Sequence, residues 1–181
     1  WNALLVGIHT WALDPSALAS SIKRILHNQY SCFGLIIETN SHYLCIADHI
    51  RSYPIYYHTG QSEYPVFTNF SSLDPNKCLL EQSESATNEM LLCGYVLGNR
   101  TLYRHIHSLL AGEAILYEKW DGQITRHRYY KYIPENRTSK YLTCSEDQFL
   151  HEFGQKIDNA FKRIIRRAGG RPIWVPLSGG V

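Results

Sequence analysis

Residues 42–58 read HYLCIADHIRSYPIYYH, two apolar runs on either side of a polar stretch that holds Asp48, Arg51 and Ser52. Short runs rich in β-branched and aromatic side chains, separated by turn-forming residues, are the signature of strands rather than helices. The same pattern extends in both directions. SCFGLIIE (residues 31–38) precedes it across Thr39-Asn40-Ser41, and YPVFTNF (residues 64–70) follows across Thr59-Gly60-Gln61. Successive short strands with tight connections predict an antiparallel sheet.

Further out, ALLVGIH (residues 3–9) reads as a strand. In DPSALASSIKRILHNQ, Asp14 caps a helix, Pro15 takes its first position, and Leu18, Ile22, Ile25 and Leu26 form its apolar stripe. Downstream, SATNEMLLCGYVLGN (residues 85–99) predicts a short helix carrying Met90, Leu91, Tyr95 and Leu97 and stopped by Gly98-Asn99. AGEAILYEKW and QITRHRYYKY flank Asp121-Gly122, a strong hairpin signal. The polar segment between Tyr132 and Ser145 reads as a linker. Beyond it, Ser145 and Gln148 have capping-box spacing, and Phe149, Phe153, Ile157, Phe161, Ile164 and Ala168 line one helical face. Lys162, Arg163, Arg166 and Arg167 cluster where a helix dipole favours cations, and Gly169-Gly170 ends the helix. PIWVPL (residues 172–177) then predicts a buried strand delivering Ser178-Gly179-Gly180 at its C-terminal end. The reading is α+β, with one domain over residues 1–134 and the start of another over residues 135–181.

Composition narrows the function classes. The 181 residues are 44% hydrophobic with a net charge of +2, enough for a real core but without a basic stripe suited to nucleic acid. No apolar run is long enough to cross a membrane, so neither partner is expected. Five cysteines, Cys32, Cys45, Cys78, Cys93 and Cys144, contain no C-x-x-C pair, which argues against a disulfide framework or a zinc site and fits a reducing cytoplasm. The sequons at Asn69, Asn99 and Asn136 read as chance occurrences.

Ser-Gly-Gly after an apolar strand suits an anion, since glycines let the backbone turn tightly and successive N–H groups can face a phosphate. PLSGGV resembles the opening of the S-G-G-x-D-S loop of the N-type ATP pyrophosphatases. Upstream, ADHIRSYPIYYH resembles the R-D-x-x-G-x-x-P-L-Y-Y stretch of the asparagine synthetase glutaminase domain. Asp48, Pro54, Tyr56 and Tyr57 are in place, while Ala47 and Arg51 stand where Arg and Gly are usual. VFTNFSSL occupies the place of F-A-S-E-x-x-x-L. NRTLYRHIHSLLAGEAILY is similar to T-L-F-x-x-I-x-x-L-x-P-G-x-x-L through Thr101, Leu102, Ile106, Leu109 and Gly112, with Ala111 for Pro, and RHRYYKY takes the place of the closing Y-W.

These blocks, in one order over residues 31–181, resemble the asparagine synthetase family, a type II glutamine amidotransferase half followed by an ATP pyrophosphatase half. The resemblance implies the later part of an αββα (Ntn-type) antiparallel sandwich, then the start of a parallel α/β nucleotide-binding domain. It implies ATP with Mg²⁺, an aspartate-like carboxylate, and glutamine or ammonia as small-molecule partners, and it is compatible with a homodimer. Leu177, Ser178, Gly179, Gly180 and Val181 would be the pyrophosphate-binding residues.

The family's nucleophile is a cysteine at the first position, whose own α-amino group is the base. Trp1 stands first here, and neither N-G-E-I-Y-N nor T-G-S-D-x-E is visible. No catalytic or glutamine-binding residue is therefore assigned, and the chain is expected to be an inactive piece of a longer ligase. A degenerate relative such as a β-lactam-synthetase-like cyclase, or a non-catalytic interaction domain, stays open. Cys32 and Cys45 are expected to be small core residues. Asp48 and Arg51 are expected to hold a turn, as a salt bridge or otherwise, and His105 with His107 are expected to bind no metal.

Overall fold

The computed structural model describes residues 15–26, 31–59, 62–63, 65–72, 80–133, 143–176 and 179. The chain divides into two compact units, Trp1–Ile133 and Pro134–Val181. It is mixed α+β, with two antiparallel sheets and three α-helices among the described residues. No described helix is long and apolar enough to cross a membrane.

Among its described residues the larger unit opens with α1 (Pro15–Leu26), which has proline in its first turn and Lys23 and Arg24 in its last. The expected strand over residues 3–9 and the capping Asp14 lie outside the described residues. Strands β1 (Gly34–Glu38), β2 (His42–Ala47), β3 (Tyr56–His58) and β4 (Val66–Phe67) follow, then a 3₁₀ turn (Phe70–Ser72), α2 (Glu84–Cys93), β5 (Ile106–Ser108), β6 (Glu113–Glu118) and β7 (Ile124–Arg128). The strands form not one sheet but two, ordered β1-β2-β6-β7 and β4-β3-β5.

Period-two geometry divides the core. On β2, Leu44 and Ile46 face α1 and meet Ile22, Leu26, Ala114, Leu116 and Tyr129. Cys45 and Ala47 face the other way and pack with Ile55, Tyr57, Leu109 and Ile115. Residues 44–47 are all buried, because the strand has β1 and β6 on its edges and apolar layers on both faces. On β3 the split repeats: Tyr57 points to the central layer, and Tyr56 to an outer cluster with Phe67, Phe70, Leu80, Tyr103 and Ile106. Helix α1, the four-stranded sheet and the three-stranded sheet therefore stack in that order.

The β6–β7 hairpin closes as Asp-Gly predicts. Gly122 has φ +72°, Glu118 N–H donates to Gln123 O at 2.9 Å, and Asp121 Oδ1 accepts from Gln123 N at 2.8 Å. The stop of α2 differs from the expectation. Gly94, not Gly98, ends the helix, taking φ +78° and donating its N–H to Met90 O at 2.9 Å, since the first glycine able to turn left-handed terminates the run. Tyr95 and Leu97 thus fall beyond the helix, and both are exposed.

In the smaller unit α3 (Glu146–Ala168) follows its expected signals. Ser145 Oγ accepts from Gln148 N–H at 3.3 Å, and Gly169 closes the helix at φ +57°. Its stripe of Phe149, Phe153, Ile157, Phe161 and Ile164 is exposed. The strand expected over residues 172–177 is not formed across residues 171–176, and Trp174 is 88% exposed. A strand exists only in a ladder, and this unit offers no second strand among its described residues.

Candidate functional site

The five residues expected to bind pyrophosphate are almost wholly outside the described structure. Leu177, Ser178, Gly180 and Val181 are not described, and Gly179 is exposed with open space where a side chain would stand. The structure does gather the upstream motif residues, at the turn after β2.

Asp48 is 2% exposed. Its Oδ2 accepts from Phe33 N–H at 2.7 Å, and its Oδ1 accepts from Ile50 N–H at 3.0 Å and Ser52 N–H at 3.1 Å. Burial alone would raise its pKa, but the hydrogen bonds from Ser52, Phe33 and Ile50 outweigh that and hold the carboxyl below its ordinary range. The Asp48 carbonyl accepts from Arg51 N–H at 3.2 Å and from Gly112 N–H at 2.7 Å. One residue thus ties the entry to β1, its own turn and the entry to β6.

The expected Asp48–Arg51 pair holds the turn without a salt bridge, the carboxylate being spent on backbone N–H groups. Arg51 has φ +55°, the one non-glycine in the left-handed region among the described residues, and its Nη1 donates to Ser108 Oγ at 3.2 Å. The buried Ser108 hydroxyl donates onward to Leu109 O. Leu109 N–H donates to Ile55 O at 2.9 Å, β3 pairs Tyr57 with His107, and Tyr129 reaches back to donate its hydroxyl to Ala47 O at 2.6 Å. Gly112 O accepts from the N–H groups of Tyr129 and Tyr130. Beside the turn lies a cavity of about 560 Å³ with Arg51, Tyr56, Phe70, Thr101, Tyr103 and Ser108 in its walls.

Ser108, Phe33 and the Tyr129 hydroxyl were not singled out by the sequence. The Tyr129 bond spans 82 positions, and no local spacing signals it. Cys32 corrects an expectation: it is exposed, because it precedes the first paired residue of β1, whereas Cys45 is buried and its thiol pKa is pushed upward by burial. The His105 ring lies 5.9 Å from that of His58, and the His107 ring 5.7 Å from that of Tyr57. No group of three or more potential metal ligands converges among the described residues.

His58, His107 and His127 all have pKa values lowered first by burial, and then by nearby cations or histidines. The unfolded chain binds protons on these rings before the folded one does, so stability is present above the ordinary value of 6.5 and declines as pH falls below it. Thermal melts are expected to show a lower Tm at pH 5 than at pH 7.5, and H58Q/H107Q should flatten that limb. An unchanged slope in the double variant would refute the assignment.

Compared with protein-family models, with curated proteins and with solved structures, the chain matches none.

Proposed function

We propose that this chain belongs to an ATP-dependent carbon–nitrogen ligase similar to asparagine synthetase. Residues 1–134 would supply the later part of an αββα glutaminase-like sandwich, and residues 135–181 the opening of the nucleotide-binding half. The observation that carries the reading is the convergence at Asp48. Motif blocks far apart in sequence meet there, and two positions where the resembling family uses glycine, those of Arg51 and Gly112, both have positive φ. A chance likeness of sequence gives no reason for glycine positions to fall on left-handed turns that hydrogen-bond to one residue.

The chemistry would be attack of a carboxylate on ATP to give an acyl adenylate and pyrophosphate, then displacement of AMP by ammonia to give the amide. Ser178, Gly179 and Gly180 would bind the departing pyrophosphate through backbone N–H groups and the serine hydroxyl, stabilising charge as it develops. Residues 177–181 contain no carboxylate, so Mg²⁺ would enter with ATP rather than be held by them.

The protein encoded by the complete reading frame should catalyse ATP–pyrophosphate exchange that depends on an added carboxylate such as aspartate. Ser178→Ala should slow it at least tenfold, on the order of one lost charge-assisted hydrogen bond. Exchange without transfer of nitrogen from glutamine would select the cyclase-like alternative. Failure to bind ATP would refute the proposal and favour an interaction domain.

A further inference from the structure

We propose that the cavity walled by Arg51, Tyr56 and Phe70 binds a small anion carried on a flat apolar body, a carboxylate or phosphate on an aromatic ring, with Arg51 as its anchor. The inference stands on the cavity alone and does not depend on the ligase reading.

The walls combine the two features such a ligand needs. One side is aromatic, with the Phe70 ring 4.7 Å from that of Tyr56 and 5.5 Å from that of Tyr103. A flat ring can stack or pack edge-on against such a surface. The volume of about 560 Å³ is that of a small-molecule site. The other side offers cationic charge. Arg100 is neutralised by Glu89 at 2.7 Å, so its charge is already answered. Arg51 has no carboxylate within ion-pair distance among the described residues, and of its five N–H donors one is used, on Ser108. The Ser108 hydroxyl is itself oriented by donating to Leu109 O, so the guanidinium is held at the wall with the rest of its fork free to take an oxyanion in two parallel hydrogen bonds.

The backbone adds a separate indication. At φ +55° a side chain crowds its own carbonyl, whereas glycine would sit there without strain. Replacing Arg51 by glycine would relieve that strain at the loss of one partly exposed hydrogen bond. An arginine standing in such a conformation next to a cavity is the kind of outlier that marks a ligand clamp.

The test is calorimetric titration of the full chain with phenyl phosphate and with 4-hydroxybenzoate, with benzyl alcohol as the uncharged control. At least one anion should bind saturably and the alcohol should not; which anion binds identifies the headgroup. Arg51→Gly should weaken binding at least tenfold while its Tm stays equal to or above that of the parent chain. Arg51→Lys should be intermediate, since an ammonium lacks the planar fork. Absence of binding by both anions, undiminished binding by R51G, or a clearly lowered Tm in R51G would each overturn the proposal, the last by showing that Arg51 serves folding instead.

Discussion

Gly112→Ala is expected to remove a large share of the stability of the larger unit. Gly112 has φ +66°, and a β-carbon there would lie 2.5 Å from the Tyr130 carbonyl oxygen and 3.1 Å from its carbonyl carbon. The left-handed conformation alone costs an alanine about 1–2 kcal/mol. The clash adds to it, because the obstacle is backbone fixed by the bonds from Tyr129 and Tyr130 to Gly112 O and cannot rotate aside. A total of roughly 3–5 kcal/mol follows, a large share of the stability of an ordinary domain. Gly94→Ala separates the two contributions. Gly94 has a similar φ of +78° but nothing within 4 Å of its would-be β-carbon, so it should cost only the conformational part. Denaturant titrations of the two variants should differ by roughly 2 kcal/mol or more. Equal losses would mean that the Tyr130 backbone moves aside freely and that the knot around Gly112 is not rigid.

Much of this architecture is legible in the sequence where the signal is local. Asp121-Gly122 specifies its own hairpin, Ser145 with Gln148 specifies the start of α3, and the alternation in HYLCIA specifies which residues of β2 share a face. Where two local signals compete, the reading fails: Gly94 and Gly98 are both competent stops, and only the geometry of α2 decides between them. The division of the strands into two sheets follows from no local signal and is implied only by the resemblance to an αββα sandwich: β3 meets its sequence neighbour β4 across a turn, but its other partner, β5, is chosen by tertiary packing. The same holds for PIWVPL, whose apolar character fits a strand but whose ladder needs a partner from elsewhere. For the candidate site, Asp48 and Arg51 could be singled out as charges between two apolar runs. Their division of labour could not, since Phe33, Ser108 and Gly112 reach them from 15, 57 and 64 positions away; the last separation is 112 minus 48.

Asp48 is the other residue whose loss should be severe, and its chemistry allows the cause to be separated from simple loss of volume. In Asp48→Ala, the N–H groups of Phe33, Ile50 and Ser52 lose their acceptor in a buried place. Each bond to an ionised group is worth about 1.5–3 kcal/mol, and an orphaned donor carries its own desolvation cost. Partial access of water to the turn reduces the sum, leaving an expected loss of roughly 3–5 kcal/mol in denaturant titration. Asp48→Asn keeps the shape and one acceptor oxygen, but turns an NH₂ toward donors that require an oxygen. It should lose roughly 2–3 kcal/mol. The two variants should also differ from the parent in acid. The Asp48 pKa is lowered in the folded state, so its contribution is fully present above the ordinary value of 3.8 and is lost as pH falls through the lower folded value. The penalty of Asp48→Asn should therefore be constant between pH 7 and pH 5 and shrink below pH 4, where the carboxylate of the unfolded parent takes up a proton while the folded one is still ionised. A penalty that persisted undiminished at pH 2.5 would show that the three N–H groups do not depend on the charge. The bonds would then rest on the two acceptor oxygens, of which Asn keeps one, and not on ionisation.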